Sequence, residues 1–306
     1  IEFTPLKGLV YTSKINGYTT FNVVDEFNRI YHYSPTIKNE QSKVSKSVGQ
    51  QYGWLAQNYL SYNTSLGNHN IGLLGGMEAS RTEYADIYGK RHDLINETPE
   101  MHYFNASTND TLTTVQYVYG TGWEEANYSY FGRFNYDYKG ILLLTTNFRR
   151  DVSSRFGPKY RKGNFPSVSV AWKFSELPFL KDSRIISFGK LRIGYGTTGA
   201  NAPALYGYYA RIAQVNAFGY VFDHSSNIKS GAALQQMPNR EMRWETMKME
   251  NIGLDLSFFS NKMTITVDLF QKSNEGMLIY QTLPAIVGMY QNPSYVQQLG
   301  GDARPI

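Results

Sequence analysis

Long stretches of this chain alternate apolar and polar residues with a period of two, the pattern of β-strands whose two faces meet different surroundings. From Val168 to Phe174 every second residue is large and apolar, while Ser, Ala and Lys lie between them. The same alternation recurs at 142–148, 191–195, 252–258 and 263–269. No helical period of useful length is present, so the sequence predicts an all-β chain whose helices, if any, lie in the long loops.

The breaks between these stretches predict about nine strands and a tenth that begins near Met277. Their bounds are roughly 7–24, 51–62, 68–80, 128–138, 140–150, 165–174, 186–197, 242–258 and 263–273. Many are about ten residues long or longer, whereas strands in globular proteins average about five or six. A strand that crosses a membrane needs about 9–11 residues with apolar side chains outward and polar ones inward. The pattern therefore predicts an antiparallel transmembrane β-barrel.

The connections between the predicted strands alternate strictly between long and short. Short turns are expected at 63–68, 137–140, 175–185 and 259–262, and longer connections at 25–50, 81–127, 151–164 and 198–241. Barrels of the outer membrane have short periplasmic turns and long extracellular loops. An open β-sandwich has no reason to keep this parity, so the order of the connections supports the barrel.

The composition indicates a protein surface with few charged residues. Aromatic residues make up 15% of the 306 residues, with 25 Tyr, and only 18% are charged, where about a quarter is usual. Tyr suits the margins of a lipid-facing band, because its ring tolerates one apolar and one wet end. The 30 basic residues exceed the 25 acidic ones by five, but they are mostly scattered, which argues against a nucleic-acid partner. The absence of Cys excludes disulfides, thiolate metal sites and a Cys nucleophile.

Several ordered motifs resemble one family. They are Phe134 to Lys139 with the following Ile141 to Asp151, Ser153 to Gly157, Phe165 to Ser169 with Trp172, Leu191 to Gly199, and Trp244-Glu245 through Asn251 to Asp255 and on to Asn261-Lys262. Over residues 134–272 the chain resembles the SusC/RagA-like TonB-linked outer-membrane proteins of Bacteroidetes. Residues 1–130 resemble them only in general character.

The resemblance implies an active importer in the outer membrane of a Gram-negative bacterium. Such a protein has a barrel of about 22 strands, plugged by an N-terminal domain that TonB acts on, and a SusD-like lipoprotein lid that hands over oligosaccharides or peptides. About nine strands are too few for that barrel, so residues 1–306 are expected to be part of one barrel domain. The plug domain, the TonB box and the C-terminal strands are expected in the rest of a longer polypeptide, whose strands would complete the wall within the membrane lipids.

The candidate substrate contacts are aromatic residues of the longest downstream loop, since sugar rings stack on aromatic side chains. They are Tyr206, Tyr208, Tyr209, Phe218 and Tyr220, with Phe222 beside them. The alternative is that these rings anchor the loop. The polar lumen is expected to be lined by residues such as Asn251, Asp255, Thr264, Thr266 and Asp268.

The basic segment from Arg149 to Lys162 has two interpretations. It could contact a ligand or a lipopolysaccharide phosphate, or Arg150 could pair with Asp151 while Arg155 packs against a neighbouring loop. The second interpretation is favoured.

Other motifs give weak evidence for chemistry. Gly194 to Gly199 has the spacing of a dinucleotide fingerprint, but Pro203 follows in place of a helix, so glycines that ease the exit of a strand into a loop are favoured. His92 with His102, and the Asp223, Ser225 and Asn227 spacing, are poor metal sites. Adjacent Glu124 and Glu125 do not present carboxyl groups across a sugar ring. We therefore expect no catalytic, cofactor or metal site, and no enzyme.

Three alternatives to active import stay open at this point. A barrel without a plug would be a passive, porin-like channel. The importer fold could also serve as a scaffold component of a larger outer-membrane complex. A secreted carbohydrate-binding sandwich would stay soluble without detergent.

Overall fold

The computed structural model describes residues 1–108, 117–181, 183, 185–201, 205–220, 229–282, 284, 286, 294–298 and 302–303. Short 3-10 turns occupy Pro99–Met101, Phe104–Ala106 and Phe174–Glu176. Within the described ranges, no helix is long and apolar enough to cross a lipid bilayer. The strands in chain order are β1 Glu2–Leu6, β2 Leu9–Asn28, β3 Tyr31–His32, β4 Lys38–Asn39, β5 Lys43–Leu66, β6 His69–His92, β7 Tyr117–Tyr138, β8 Leu142–Ser153, β9 Lys162–Trp172, β10 Ile186–Ala200, β11 Arg211–Tyr220, β12 Lys229–Gln236, β13 Glu245–Phe258, β14 Met263–Glu275, β15 Leu278–Thr282, β16 Ser294–Gln298 and β17 Asp302–Ala303.

One large sheet contains all nine predicted strands. Its order is β1-β2-β5-β6-β7-β8-β9-β10-β13-β14-β17. The strands from β5 to β10 therefore pair in the order in which they follow one another along the chain, as do β13 and β14. The nine predicted strands correspond to β2, β5 to β10, β13 and β14, which confirms the prediction. The strand near Met277 exists as β15, but it belongs to a separate sheet of order β11-β12-β16-β15. A further pair, β3 with β4, forms a small hairpin.

Contacts divide the chain into two compact units. The first comprises Ile1–Lys14, Ala56–Ala79 and Ala126–Ile306, and the second comprises Ile15–Leu55 and Ser80–Glu125. In the first unit, β7 to β10, β13 and β14 pair in antiparallel register. The second unit contains residues 15–28 of β2, 43–55 of β5, 80–92 of β6 and 117–125 of β7, together with the β3–β4 hairpin.

Several strands are longer than the sequence predicted. β5 begins at Lys43, not near 51, and β6 continues to His92, not to 80. At about 3.3 Å per residue, the 24 residues of β6 extend about 80 Å, well beyond the 9–11 residues that span a bilayer. The alternation of apolar residues is weaker in these extensions. Polar side-chain pairs contribute to holding them, as when Arg81 Nη2 bonds Glu124 Oε2 at 2.7 Å. Backbone pairing persists where the apolar signal has ended.

Two long connections also differ from their predicted form. Strand occupies both ends of the connection at 81–127, because β6 continues to His92 and β7 begins at Tyr117. The connection at 198–241 contains β11 and β12, which pair with each other in antiparallel register. The short turns are tighter than predicted, since Gly67 and Asn68 alone separate β5 from β6. The turn at 259–262 is confirmed, with positive φ at Phe259, Ser260 and Asn261.

The register of the first unit aligns the apolar residues of six strands into continuous rows, which we call the apolar face. Because each pair is in direct register, alternation within one strand becomes a band across the sheet. Many of these side chains are exposed, including Ile193 at 50% and Leu269 at 69%. One row is Tyr136, Leu144, Val170, Ile193, Ile252 and Leu269, and the next is Tyr138, Leu142, Trp172, Leu191, Leu254 and Val267.

The opposite side of the same strands, which we call the polar face, carries mostly small or hydrophilic residues. A sheet that exposes a wide apolar band in water would be an aggregation hazard, whereas lipid on one side and water on the other suit both faces. One row is Asn135, Thr145, Ser169, Gly194, Asn251 and Phe270, and the next is Asp137, Leu143, Ala171, Arg192, Gly253 and Asp268.

Candidate functional site

An arginine network occupies the polar face where β10, β13 and β14 meet. Arg192 donates from Nε and Nη2 to the two carboxylate oxygens of Asp255 at 2.9 and 3.1 Å. Its Nη2 also bonds Asp268 Oδ2 at 3.2 Å. Gly253 lies opposite Arg192 in the register and has no side chain to obstruct the guanidinium. Asp255 and Asp268, two of the residues expected to line a lumen, therefore both bind the Arg192 guanidinium. Asn251, a third, donates from Nδ2 to Asp268 Oδ1 at 3.5 Å.

The two expected threonines occupy the same face. Thr266 is in register with Asp255, and Thr264 with Ser257. The hydroxyl groups of Ser257 and Thr264 lie 3.1 Å apart. The structure therefore places all five predicted lumen residues on the polar face.

A second network centres on Arg149 in β8. Its Nε bonds Asp151 Oδ1 at 2.7 Å, and its Nη2 bonds Glu78 Oε1 at 3.0 Å and Ser129 Oγ at 2.9 Å. Gln57 Nε2 adds a bond of 3.0 Å to the same Glu78. The predicted pairing of Arg150 with Asp151 is therefore wrong.

The physical reason is the period of the strand. Arg149 and Asp151 are two residues apart and share a face, whereas adjacent residues point to opposite faces. Arg150 is in register with Tyr130 and Asn164, in continuation of the apolar face beyond Phe148.

Further side-chain hydrogen bonds link the strands between these two networks. Arg133 Nε bonds Asn147 Oδ1 at 2.7 Å, and Asn147 Nδ2 bonds Ser167 Oγ at 3.0 Å. Thr145 Oγ1 bonds Asn135 Oδ1 at 3.0 Å. The polar face is thus a hydrogen-bonded surface suited to contact with water and hydrophilic solutes.

The candidate substrate contacts are only partly brought together. Tyr208 is 9% exposed and Tyr209 53%, and their ring centroids lie 4.2 Å apart. Tyr206 is exposed and has a φ of 60° in the same loop. The side chains of Phe218 and Tyr220, in β11, and all of Phe222 lie outside the described residues. Tyr208 and Tyr209 help to line a cavity of about 360 Å³ with Gly157, Lys159, Pro238 and Arg240.

The hydroxyl group of Tyr208 is held in its neutral form. Burial raises the pKa of Tyr208 most, and a hydrogen bond to Tyr209 raises it further, while Arg161 opposes both effects. The burial of Tyr208 fits the anchoring interpretation for this ring, while Tyr206 and Tyr209 are exposed. Substrate contact by the aromatic loop stays a prediction.

A small apolar cluster supports this loop, and sequence reasoning missed it. Phe156 is fully buried, together with Met242 and Leu278, and Trp244 packs against them. The Trp244 ring centroid lies 5.1 Å from that of Phe156 and 5.4 Å from that of Phe165. Trp244 Nε1 also donates to Arg161 O at 2.9 Å. Large apolar residues just outside the strands were its only sequence signal.

The glycine motif and the glutamate pair have structural roles. The segment from Gly194 to Gly199 forms the last part of β10, which ends at Ala200, a little beyond the predicted end at 197. A Cβ at Gly199 would lie 2.0 Å from Cζ of Phe165, so only glycine at this position leaves room for the Phe165 ring. Glu124 and Glu125 are adjacent in β7 and therefore point to opposite faces.

His92 and His102, the two histidines considered for a metal site, lie in the second unit. His102 stacks on Phe27 at 3.8 Å, and its Nε2 lies 3.2 Å from Glu97 O. Across the part of the chain that the structure describes, no group of three or more His, Cys, Asp or Glu is placed to hold a metal ion. Asp223, Ser225 and Asn227 lie outside it.

Strands with one lipid-suited face, one hydrophilic face and short turns at alternate ends define a segment of an outer-membrane β-barrel wall. The comparison with protein families gives the same class, since residues 2–304 match the model of the TonB dependent receptor-like, beta-barrel family. The chain belongs to this family.

Similar proteins come from Bacteroidetes. TonB-dependent receptor P3 of Formosa agariphila is 31% identical over 287 residues, which are 92% of this chain and 27% of that protein. TonB-dependent receptor SusC of Bacteroides thetaiotaomicron is 30% identical over 249 residues, covering 79% of this chain and 23% of SusC. The chain therefore spans about a quarter of the length of these curated relatives.

A solved structure shares the fold. The RagAB peptide transporter matches 97% of this chain and 31% of its own matched chain, with a TM-score of 0.81 and 24% identity. The family and the fold place the chain in the outer membrane of a Gram-negative bacterium.

Proposed function

We propose that this chain forms part of the barrel wall of an active importer that takes up oligosaccharides or peptides through the outer membrane. The observation that carries the proposal is the aligned pair of faces, apolar on one side and hydrogen-bonded and polar on the other, across six strands. A polar lumen lets hydrophilic solutes pass, while the apolar face meets lipid. The family match and the likeness to a peptide transporter support import as the role.

The proposed protein has no bond-making chemistry of its own. Energy would reach it through TonB acting on a plug domain in another part of the polypeptide. A SusD-like lipoprotein would cover the extracellular end and deliver the solute. Residues 1–306 would be one portion of a single barrel domain, completed by strands from the same polypeptide.

The test is solute uptake by cells of the native host. Deletion of the gene should abolish uptake of either labelled oligosaccharides or labelled peptides, and the full-length gene should restore it. Inactivation of TonB should abolish the same uptake. Uptake that persists without TonB would show a passive channel and refute active import.

The partner and the extent of the protein are tested separately. Purification of the full-length protein in detergent should co-isolate one lipoprotein, and its intact mass should exceed that of the 306 residues several-fold, as the relatives do. Co-isolation of several unrelated subunits, with no change of uptake in the deletion strain, would instead indicate a scaffold.

A further inference from the structure

A second cavity lies in the second unit, between the ends of β2 and β5. Its volume is about 800 Å³, and its lining includes Phe27, Arg29, Tyr31, Tyr33, Asn39 and His92. The ends of β5 and β6 that face this cavity are opposite their short turn at Gly67 and Asn68. Because short turns are periplasmic in such barrels, the cavity opens on the extracellular side.

A short hairpin shapes this cavity. Tyr31 is in register with Asn39, and His32 with Lys38. Asn39 Nδ2 donates to the carbonyl oxygen of Arg29 at 2.7 Å, which ties the hairpin to the end of β2. The guanidinium of Arg29 donates from Nη2 to the Tyr33 hydroxyl at 3.2 Å. The arginine is thus held at the cavity by its backbone and by one neutral side chain.

The neighbouring carboxylates have other partners, among them Asp93, whose Oδ2 accepts from Gln41 Nε2 at 3.5 Å. Glu97 Oε1 accepts from the Ile30 backbone N–H at 2.7 Å. Glu40 pairs with Lys38, and Glu26 accepts from Ser45 Oγ at 3.0 Å and lies 3.8 Å from Lys43. Within the described ranges, Arg29 has no carboxylate partner. Most of its planar set of donors is therefore available for a carboxylate or sulfate group, which guanidinium binds in two-point geometry.

Aromatic and amide groups accompany the guanidinium. Tyr31 and Tyr33 are 37% and 69% exposed, and their ring centroids lie 5.2 Å apart at an angle of 31°. Exposed aromatic faces stack on sugar rings, and Asn28 and Gln41 in the lining can bond hydroxyl groups. Burial, followed by the charge of Lys90 and more weakly that of Lys43, lowers the pKa of His92 against the opposing effect of Asp93, so the neutral ring adds hydrogen-bonding capacity.

We infer that this cavity is an extracellular binding site for an acidic oligosaccharide, with its carboxylate or sulfate on Arg29 and a sugar ring on Tyr31 and Tyr33. Each feature would bind one part of such a ligand. The Arg29 guanidinium, which has no carboxylate partner within the described ranges, would bind the anion, the tyrosine rings the sugar, and the amides the hydroxyl groups. The site would concentrate a charged glycan at the cell surface, whether or not the barrel imports it. It rests on the proposed function only for its extracellular position.

The test measures binding to the purified full-length protein in detergent by titration calorimetry. The probes are a hexamer of galacturonic acid, a sulfated oligosaccharide of equal length, a neutral oligosaccharide of equal length and a hexamer of glutamate. One or both acidic oligosaccharides should bind, and the comparison of the two distinguishes carboxylate from sulfate. The neutral oligosaccharide and the glutamate peptide should each bind at least about tenfold more weakly, which is a difference of about 1.4 kcal/mol.

Matched variants locate the site. Arg29→Gln should weaken binding of the acidic oligosaccharide at least about tenfold, and Arg29→Lys should restore only part of it, because lysine keeps the charge but not the planar fork. The single variant Tyr33→Ala should also weaken binding, because it removes one of the two rings on which the sugar stacks. Lys262→Gln removes an exposed cation of the turn at 259–262 in the first unit and should leave binding unchanged. Resistance of each variant to SDS at room temperature checks that the barrel is folded.

Several results would overturn the inference. They are equal binding of the neutral oligosaccharide, equal binding of the glutamate peptide, absence of binding by both acidic probes, or a folded Arg29→Gln variant with unchanged affinity. Import is measured separately, by the uptake assay in cells. A strain that fails to import while its purified protein still binds the acidic glycan would refute the proposed function and leave this site intact.

Discussion

The most direct perturbation of the polar face is a methyl group at Gly253. A Cβ there would lie 2.6 Å from Arg192 Cζ and Nη2 and 2.6 Å from Asp268 Oδ1. Nonbonded carbon atoms settle at about 3.5–4.0 Å, so the guanidinium must move by about 1 Å. That displacement is enough to break its bonds of 2.9 and 3.1 Å to Asp255. Gly253→Ala should therefore destabilise the barrel by up to about 1 kcal/mol, because the displaced atoms belong to a partly exposed ion-pair network, and such pairs contribute about 0.2–1 kcal/mol.

A matched glycine provides the control. Gly194 occupies the same face on the adjacent strand, and a Cβ there meets nothing within 4 Å. Since Gly in a strand interior costs roughly 0.5–1 kcal/mol relative to Ala, Gly194→Ala should be neutral or stabilising.

The assay is urea unfolding of the full-length protein in lipid vesicles, with the free energy of unfolding compared among variants. If the clash with Arg192 is the cause, the cost of Gly253→Ala should largely disappear in an Arg192→Ala background. The reasoning is refuted if Gly253→Ala and Gly194→Ala behave alike. It is also refuted if the cost of Gly253→Ala is the same with and without Arg192.

Three further predictions test other parts of the molecule. Ile252→Lys should destabilise the protein in lipid vesicles by up to about 2–4 kcal/mol, because a charge on the lipid face is costly, whereas the adjacent Asn251→Lys on the polar face should cost much less. Phe156→Ala should destabilise the fully buried loop cluster by about 3–5 kcal/mol, seen as faster hydrogen exchange at residues 239–244, while the exposed Pro158→Ala should leave exchange unchanged. The pKa of Tyr208 is raised above its ordinary value of 10.0, so its stabilisation is complete below pH 10 and is lost as the pH rises through the raised pKa. The difference in alkaline absorbance between the native protein and Tyr208→Phe should show one late-titrating phenol, and an ordinary midpoint would contradict the assignment.

The sequence by itself determined the class of fold, because alternation is a local property of each strand. Side chains two residues apart share a face wherever a strand is extended, so Val168, Val170 and Trp172 indicated a two-faced wall before any pairing was known. The breaks at 63–68, 137–140 and 259–262 likewise located the hairpins. The same period of two, applied to Arg149 and Asp151, would have predicted their pairing correctly.

The tertiary structure decided what depends on residues distant in the chain. Phe156 and Met242 form one buried cluster only because the strands that flank them are brought together, and Arg192 meets Asp255 and Asp268 only through the register of three strands. The extensions of β5 and β6 were invisible in the apolar pattern because polar pairs and backbone bonds hold them. The cavity at Arg29 likewise depends on the folded hairpin, which leaves one guanidinium beside two exposed tyrosine rings while the nearby carboxylates bond elsewhere.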